Sequence, residues 1–291
     1  MRQVIEIAVP AITFVLMTVV GLALTPGDFG SVRRRPGIVV AGLVGPVLLL
    51  PPIALILIEV FAPPPQIRAG LLLIAACPIG GLSNTFSYLA RASTALSVTL
   101  TMLSCVAAFA AIPILSHVYQ LVLDRPFGFA VPLPALVTQL LLVLAAPVAL
   151  GMAVSHVAPS FARRHENHLR AVGFGALGLL IALVIADQRD WFLLHFSGVV
   201  FVAAAMTTAA LAAGLLVGWL CRADRRDRFT LGAVMATRNV AIAIAIAVTV
   251  LGQIQFAVFA SIYFLVEVPI MLAAIGVFRW ATVTSPASGP V

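Results

Sequence analysis

Residues Leu71–Arg91 read LLLIAACPIGGLSNTFSYLAR. The flanks suit a helix in hydrocarbon, but Pro78, Gly80 and Gly81 interrupt it near its middle. Proline removes a backbone donor and clashes with the preceding turn, and glycine adds backbone freedom. Such a break admits two readings. One is a kinked packing helix whose glycines let a neighbour approach closely. The other is an unwound segment lining a cavity, where irregular backbone at membrane depth is tolerated. Ser83 and Asn84 follow the break at once. They can cap the half-helix that starts there and set side-chain oxygens beside freed carbonyls, which favours the second reading.

The next apolar segment opens with STALSVTLTMLS, residues 93–104. Thr94, Ser97, Thr101 and Ser104 step by 3, 4 and 3 and so share one helical face. A single hydroxyl in a membrane helix commonly bonds back to the preceding turn. A stripe beside a broken span points instead to a cavity-facing role. Its uncharged oxygens suit a hard monovalent cation such as Na⁺.

Composition sets the environment. The 291 residues are 62% hydrophobic and only 9% charged, against about 25% charged in aqueous domains. A water-soluble fold could not cover its surface with so few charges. The chain is therefore expected to be an integral, polytopic membrane protein whose first partner is the lipid bilayer. The net charge of +7 is assigned to basic cytoplasmic loops and not to nucleic acid. Cys77, Cys105 and Cys221 have no metal or disulfide spacing. No nucleophile–base pair or metal cluster appears, so an enzyme is not expected. No obligate protein partner is evident.

With roughly 20 apolar residues per span, nine spans are expected: 5–25, 37–60, 67–90, 93–118, 131–157, 170–187, 195–221, 229–251 and 254–280. The first is read as a retained span, since its basic cluster, Arg33–Arg35, follows it. His165 and His168 are expected in a charged loop. Placing the N-terminus outside and the C-terminus in the cytoplasm puts twelve arginines inside and four outside, with Arg238 in the membrane. That asymmetry follows the positive-inside rule of a bacterial inner membrane. The whole chain, 1–291, forms one transmembrane unit with a disordered tail over 284–291.

The segment MATRNVAIAIA repeats the pattern of GGLSNTFSYLA, with Asn84 and Asn239 heading the two copies 155 residues apart. Five spans separate the copies, so their orientations are opposite. The resulting repeats, 1–125 and 126–283, hold four and five helices, and inverted repeats are a transporter signature. The second break carries no glycine or proline at its centre; Thr237, Arg238 and Asn239 are its only marks. An arginine at mid-membrane costs about 2.5–3.5 kcal/mol on insertion scales, so it needs a partner or water. Arg238 lies 14 residues before Gly252, and Glu267 lies 14 after Gln253. Both then sit roughly 20 Å from the hairpin turn at 1.5 Å per residue. An Arg238–Glu267 ion pair is geometrically available. It is either a structural staple or part of a cavity that draws in anions.

These residues carry a resemblance to the bile acid:sodium symporter family. It covers almost the whole chain. It is most specific in CPIGGLSNTFSYLARASTALSVTLTMLS, residues 77–104, and weaker in ATRNVAIAIA, residues 236–245, and GLALTPGDF, residues 21–29. The resemblance implies two inverted five-helix repeats, a panel domain on a core domain, and two discontinuous helices that cross. This chain would be one helix short at its start. It also implies a Na⁺ site at Ser83, Asn84, Ser97 and Thr101. The family's shared glutamate falls on Val234 and a second-site glutamine on Arg238, so the second site is expected to be lost.

The expected function is a secondary transporter that moves a small organic anion by alternating access with at most one Na⁺. Thr94, Thr237, Arg238, Asn239 and Glu267 are expected at the substrate cavity, and Pro78, Gly80 and Gly81 at the hinge. A Na⁺-independent or H⁺-coupled carrier is the alternative, with Glu267 as proton carrier. An arsenite-efflux-like carrier using Cys77, or a non-transporting membrane receptor, are further competitors.

Overall fold

The computed structural model describes residues 2–22, 35–122 and 133–283, and those residues are almost wholly helical. Arg33, Arg34, most of the 21–29 motif and the 284–291 tail lie outside them. The helices are α1 (Arg2–Leu22), α2 (Pro36–Phe61), α3 (Pro65–Ala76), α4 (Leu82–Leu89) and α5 (Thr94–Val122). After them come α6 (Leu133–Leu140), a π-helical turn (Leu141–Ala145) and α7 (Ala146–Val157). The chain continues with α8 (Pro159–Asp187), α9 (Arg189–Leu220), α10 (Arg225–Ala236) and α11 (Val240–Ala245). It closes with a second π turn (Ile246–Val250) and α12 (Ile254–Val283). The first π turn has a local cause. Pro147 has no N–H to give to the turn before it, and the ladder widens there.

Among the described residues, six helical stretches are long and apolar enough to cross a membrane, and three shorter apolar helices accompany them. Large apolar side chains such as Ile7, Leu48, Val106, Phe201 and Trp280 point outward. Water would not tolerate so much exposed hydrocarbon; lipid does. The chain is an all-α polytopic membrane protein.

In lipid, helices associate through close packing rather than through the hydrophobic effect. Two groups result. The smaller is α1 packed on α7 and α8, and the larger is α2–α5 with α9–α12. A Cβ on Gly151 would run into the Thr18 carbonyl oxygen and one on Gly21 into that of Val148, so α1 and α7 touch backbone to backbone. The α1–α11 contact joins the groups.

One end of the larger group collects basic residues. Arg35 donates to Asp224 at 2.8 Å and also to Asp227. The Ser93 amide, beside Arg91, donates to the Thr230 hydroxyl at 3.0 Å. Arg225 lies 5.4 Å from the Phe278 ring centre, next to Arg279. These arginines therefore lie at one end of the group.

The charged stretch holding His165 and His168 corrects an expectation. It was expected to be a loop, but α8 runs through it from Pro159. Pro at the first turn starts a helix well, and FARRHENHLRA contains no breaker. Charge alone marks the bilayer boundary, not the helix boundary.

Candidate functional site

The two broken spans meet. α3 ends at Ala76, and Cys77 turns extended, φ −65° and ψ 153°, as the residue before a proline must. α10 ends at Ala236, and Thr237 is extended at φ −93° and ψ 108°. Ile79 and Arg238 then pair as an antiparallel bridge. The Gly80 amide donates to the Thr237 carbonyl, and the Asn239 amide to the Pro78 carbonyl, both at 2.9 Å.

Backbone polar groups unwound away from water each need a partner, and several of those at the crossing have one. The Ile79 amide donates to Ser104 Oγ at 3.1 Å. The Ala236 carbonyl accepts from the Tyr263 hydroxyl, and the Cys77 carbonyl from the Arg238 guanidinium. Gly80 is required by proximity, since a Cβ there would sit 2.6 Å from the Arg238 carbonyl oxygen. Gly81 differs: a Cβ on it would meet nothing within 4 Å.

Capping departs from expectation. Gly81 is the N-cap of α4 and makes no side-chain bond, so Ser83 and Asn84 do not cap. Both already lie inside the first turn. Ser83 Oγ instead donates to the Gly80 carbonyl at 2.8 Å. The second break is capped: Asn239 Oδ1 accepts from the Ile242 amide at 3.2 Å.

Behind the first break the structure brings Ser83, Asn84, Ser97 and Thr101 together. Ser97 Oγ donates to Asn84 Oδ1 at 2.8 Å and to Ser83 Oγ at 3.2 Å. Thr101 Oγ1 lies 3.3 Å from both Asn84 Oδ1 and Ser83 Oγ. Hydroxyl protons can rotate away and leave lone pairs facing inward, so this set of neutral, hard oxygens fits a small monovalent cation. No carboxylate joins it: Val234 is fully buried in an apolar cluster with Val39, Ile79, Leu96, Leu100 and Leu231. Thr94 stands at the start of α5, half-buried and outside the cluster.

The Arg238–Glu267 ion pair is absent. Both side chains are buried, at 4% and 1% exposure. The guanidinium reaches across the crossing to the Cys77 carbonyl, while neither oxygen of Glu267 has a hydrogen-bond partner. Equal depth on adjacent helices did not produce contact. The carbonyl freed by Pro78 competes for the guanidinium and holds it. Arg238 Nε and Nη1 and the Thr237 hydroxyl are likewise without partners.

On the side of the crossing that faces α1 and α8 lies a small pocket of about 60 Å³, partly open to the outside. Met17, Phe174, Phe264, Gly81, Arg238 and Asn239 are among its walls. Asn239 Nδ2 donates to the Met17 sulfur at 3.7 Å, and the Thr13 hydroxyl to the Ala241 carbonyl at 3.4 Å. The pocket is a small, mostly apolar concavity with a few convergent polar groups.

The model of the Sodium Bile acid symporter family matches residues 10–195. The chain belongs to this family. The matched span of the symporter family includes the first break and the oxygen cluster and stops before α10 and the Arg238 break. Among relatives, the P3 protein of Homo sapiens is 29% identical over 65% of this chain and 39% of its own length. The "Uncharacterized sodium-dependent transporter YocS" of Bacillus subtilis (strain 168) is 26% identical over 71% of this chain and 62% of its own. The "Probable sodium/metabolite cotransporter BASS2, chloroplastic" of Oryza sativa subsp. japonica is 26% identical over 71% and 48%. The chain thus spans between about two fifths and three fifths of the length of these relatives.

Several site groups escaped the reading by sequence. Ser104 was seen as a stripe member, yet it serves the Ile79 amide and not the cluster. Tyr263, one turn before Glu267, holds the second break open. A tyrosine at mid-span is itself a signal, because tyrosine normally sits at the membrane interface. Met17 had no signal of its own.

Proposed function

We propose that this symporter-family chain is a secondary transporter that moves a small organic anion by alternating access, coupled to at most one Na⁺. The observation that carries the reading is the placement of Arg238. Arg238 is among the residues that border the pocket, and two nitrogens of its guanidinium have no partner, so an anion entering there is drawn toward fixed positive charge in a low-dielectric wall. The neutral oxygens of Ser83, Asn84, Ser97 and Thr101 supply the single Na⁺ site. The relatives named as an uncharacterized sodium-dependent transporter and a probable sodium/metabolite cotransporter support the same class.

In this reading residues 1–125 and 126–283 are inverted repeats, and α1, α7 and α8 form the panel against which the larger group rocks. The arginine-rich end faces the cytoplasm of a bacterial inner membrane, with the start of α1 outside. Helices broken at corresponding places in two repeats mark the binding site in such carriers.

The test uses purified protein in vesicles. Sodium should stabilise it against thermal unfolding relative to choline, by about 2.7 kcal/mol at a hundredfold excess over Kd. Thr101→Ala should abolish that response. A Hill coefficient near 1 for Na⁺ is expected for taurocholate counterflow, and two cooperative sodium ions per cycle overturn the single-site reading.

A further inference from the structure

Glu267 is used by nothing described so far. It lies at the middle of α12, is 1% exposed, and neither oxygen is hydrogen-bonded. The Thr237 hydroxyl and the Arg238 amide and guanidinium face it from the second break. Tyr263 faces it from its own helix. Cys77 and Tyr119 face the same guanidinium from α3 and α5. The Tyr119 hydroxyl is also without a partner. A cluster of polar groups therefore surrounds a carboxyl that makes no contact ion pair.

We propose that Glu267 is a proton-binding site, and that its charge state decides whether the Arg238 guanidinium is available to an anion in the pocket. An isolated carboxylate out of water is poorly tolerated and is held more cheaply as the neutral acid. Buried ionisable residues inside a membrane span are seldom retained without a task. The geometry supplies a specific one. Arg238 is anchored on the Cys77 carbonyl through Nη2, which leaves Nε and Nη1 free.

A proton taken from the aqueous side adds to one Glu267 oxygen and makes that side chain neutral. The guanidinium is then the net charge of the site, and an organic anion in the pocket balances it. When the proton leaves, the carboxylate becomes the competing anion. It draws Nε and Nη1 away from the substrate, and the substrate is released. Proton and anion thus bind together and leave together, and the proton does the work of a second coupling cation. The coupling step rests on the carrier reading. Proton binding to Glu267 does not, and it is tested without transport.

The experiment is infrared difference spectroscopy on the purified full chain in lecithin vesicles, between acid and alkaline buffer. A carboxylic-acid C=O band that forms on acidification and disappears on return is expected. It should be missing in Glu267→Gln and displaced in Glu267→Asp. Labelling the wild-type chain with ¹³C-glutamate should shift the band, which identifies it even where a variant does not fold. The other glutamates are Glu6, Glu59 and Glu166. Of these, Glu6 and Glu59 are exposed and give a band at solvated frequency. A band unchanged by label and variant, or one present or absent throughout the pH range, overturns the proposal. Failure of taurocholate counterflow overturns only the carrier reading.

Discussion

The two breaks at the crossing have nearly the same backbone shape and opposite origins. The first is written locally: Pro78 stops α3, forces Cys77 extended and is followed by the one glycine small enough for the crossing. The second contains no breaker at all. Thr237, Arg238 and Asn239 would sit in an ordinary apolar helix, yet the chain is extended there because the first break offers partners to its amides and carbonyls. One break is intrinsic and the other is induced. Chemistry divides along the same line. The intrinsic break carries neutral oxygens that satisfy one another, and the induced break carries a cation whose donors are mostly unspent.

The comparison is broken most severely at Arg238. Arg238→Ala strips the buried Cys77 carbonyl of its charged donor. A loss of about 3 kcal/mol is expected, the upper end of the scale for leaving a buried acceptor unsatisfied, read as thermal unfolding in detergent. If the induced break depends on the intrinsic one, a substitution in the first should undo the second. Gly80→Ala should cost about 1–3 kcal/mol, because a backbone oxygen cannot move aside as a side chain can. Gly81→Ala, one residue on, should change stability little, since that position opens on empty space. Equal effects at the two glycines would refute the close-contact account.

Asparagines sharpen the contrast. Asn239→Ala removes a helix cap and should cost about 1 kcal/mol with the sodium response intact. Asn84→Ala removes no cap and should instead erase the sodium-dependent stabilisation, so the two variants separate scaffold from ion site.

The smallest effect lies at the basic end. The Asp224 carboxyl is held below the usual carboxylate range, first by the Asp227 backbone N–H it accepts as N-cap of α10 and then by Arg35, with burial opposing. A carboxylate lowered on folding stabilises above its unfolded value, about 3.9, and the benefit disappears as pH falls through the lower folded value. Stability from this contact should therefore be complete at neutral pH and lost only in strong acid. Asp224→Asn keeps the capping oxygen but loses the charge that Arg35 pairs with, so it should lower stability slightly at neutral pH and flatten that acid limb.

Much of the site was legible from residue types alone. Pro78 and Gly80 announced a break, and the 3-4-3 spacing of hydroxyls put Ser97 and Thr101 on the face that meets Ser83 and Asn84. Legibility ended where two distant segments competed for one partner. Arg238 and Glu267 are at matching depth along their helices, which periodicity can state. Periodicity cannot state that a carbonyl freed 161 positions earlier would take the guanidinium first.

The sequence by itself determined that this chain lives in a bilayer and that its third span cannot be one continuous helix. Those properties follow from hydrocarbon content, length and the missing proline N–H, all local quantities. Only the tertiary structure decided which groups the Arg238 break pairs with, that Val234 is walled in by hydrocarbon, and that Glu267 makes no ion pair with Arg238. Each of these is set by which groups meet across the crossing, and in a medium without water that choice of partner outweighs intrinsic helical preference.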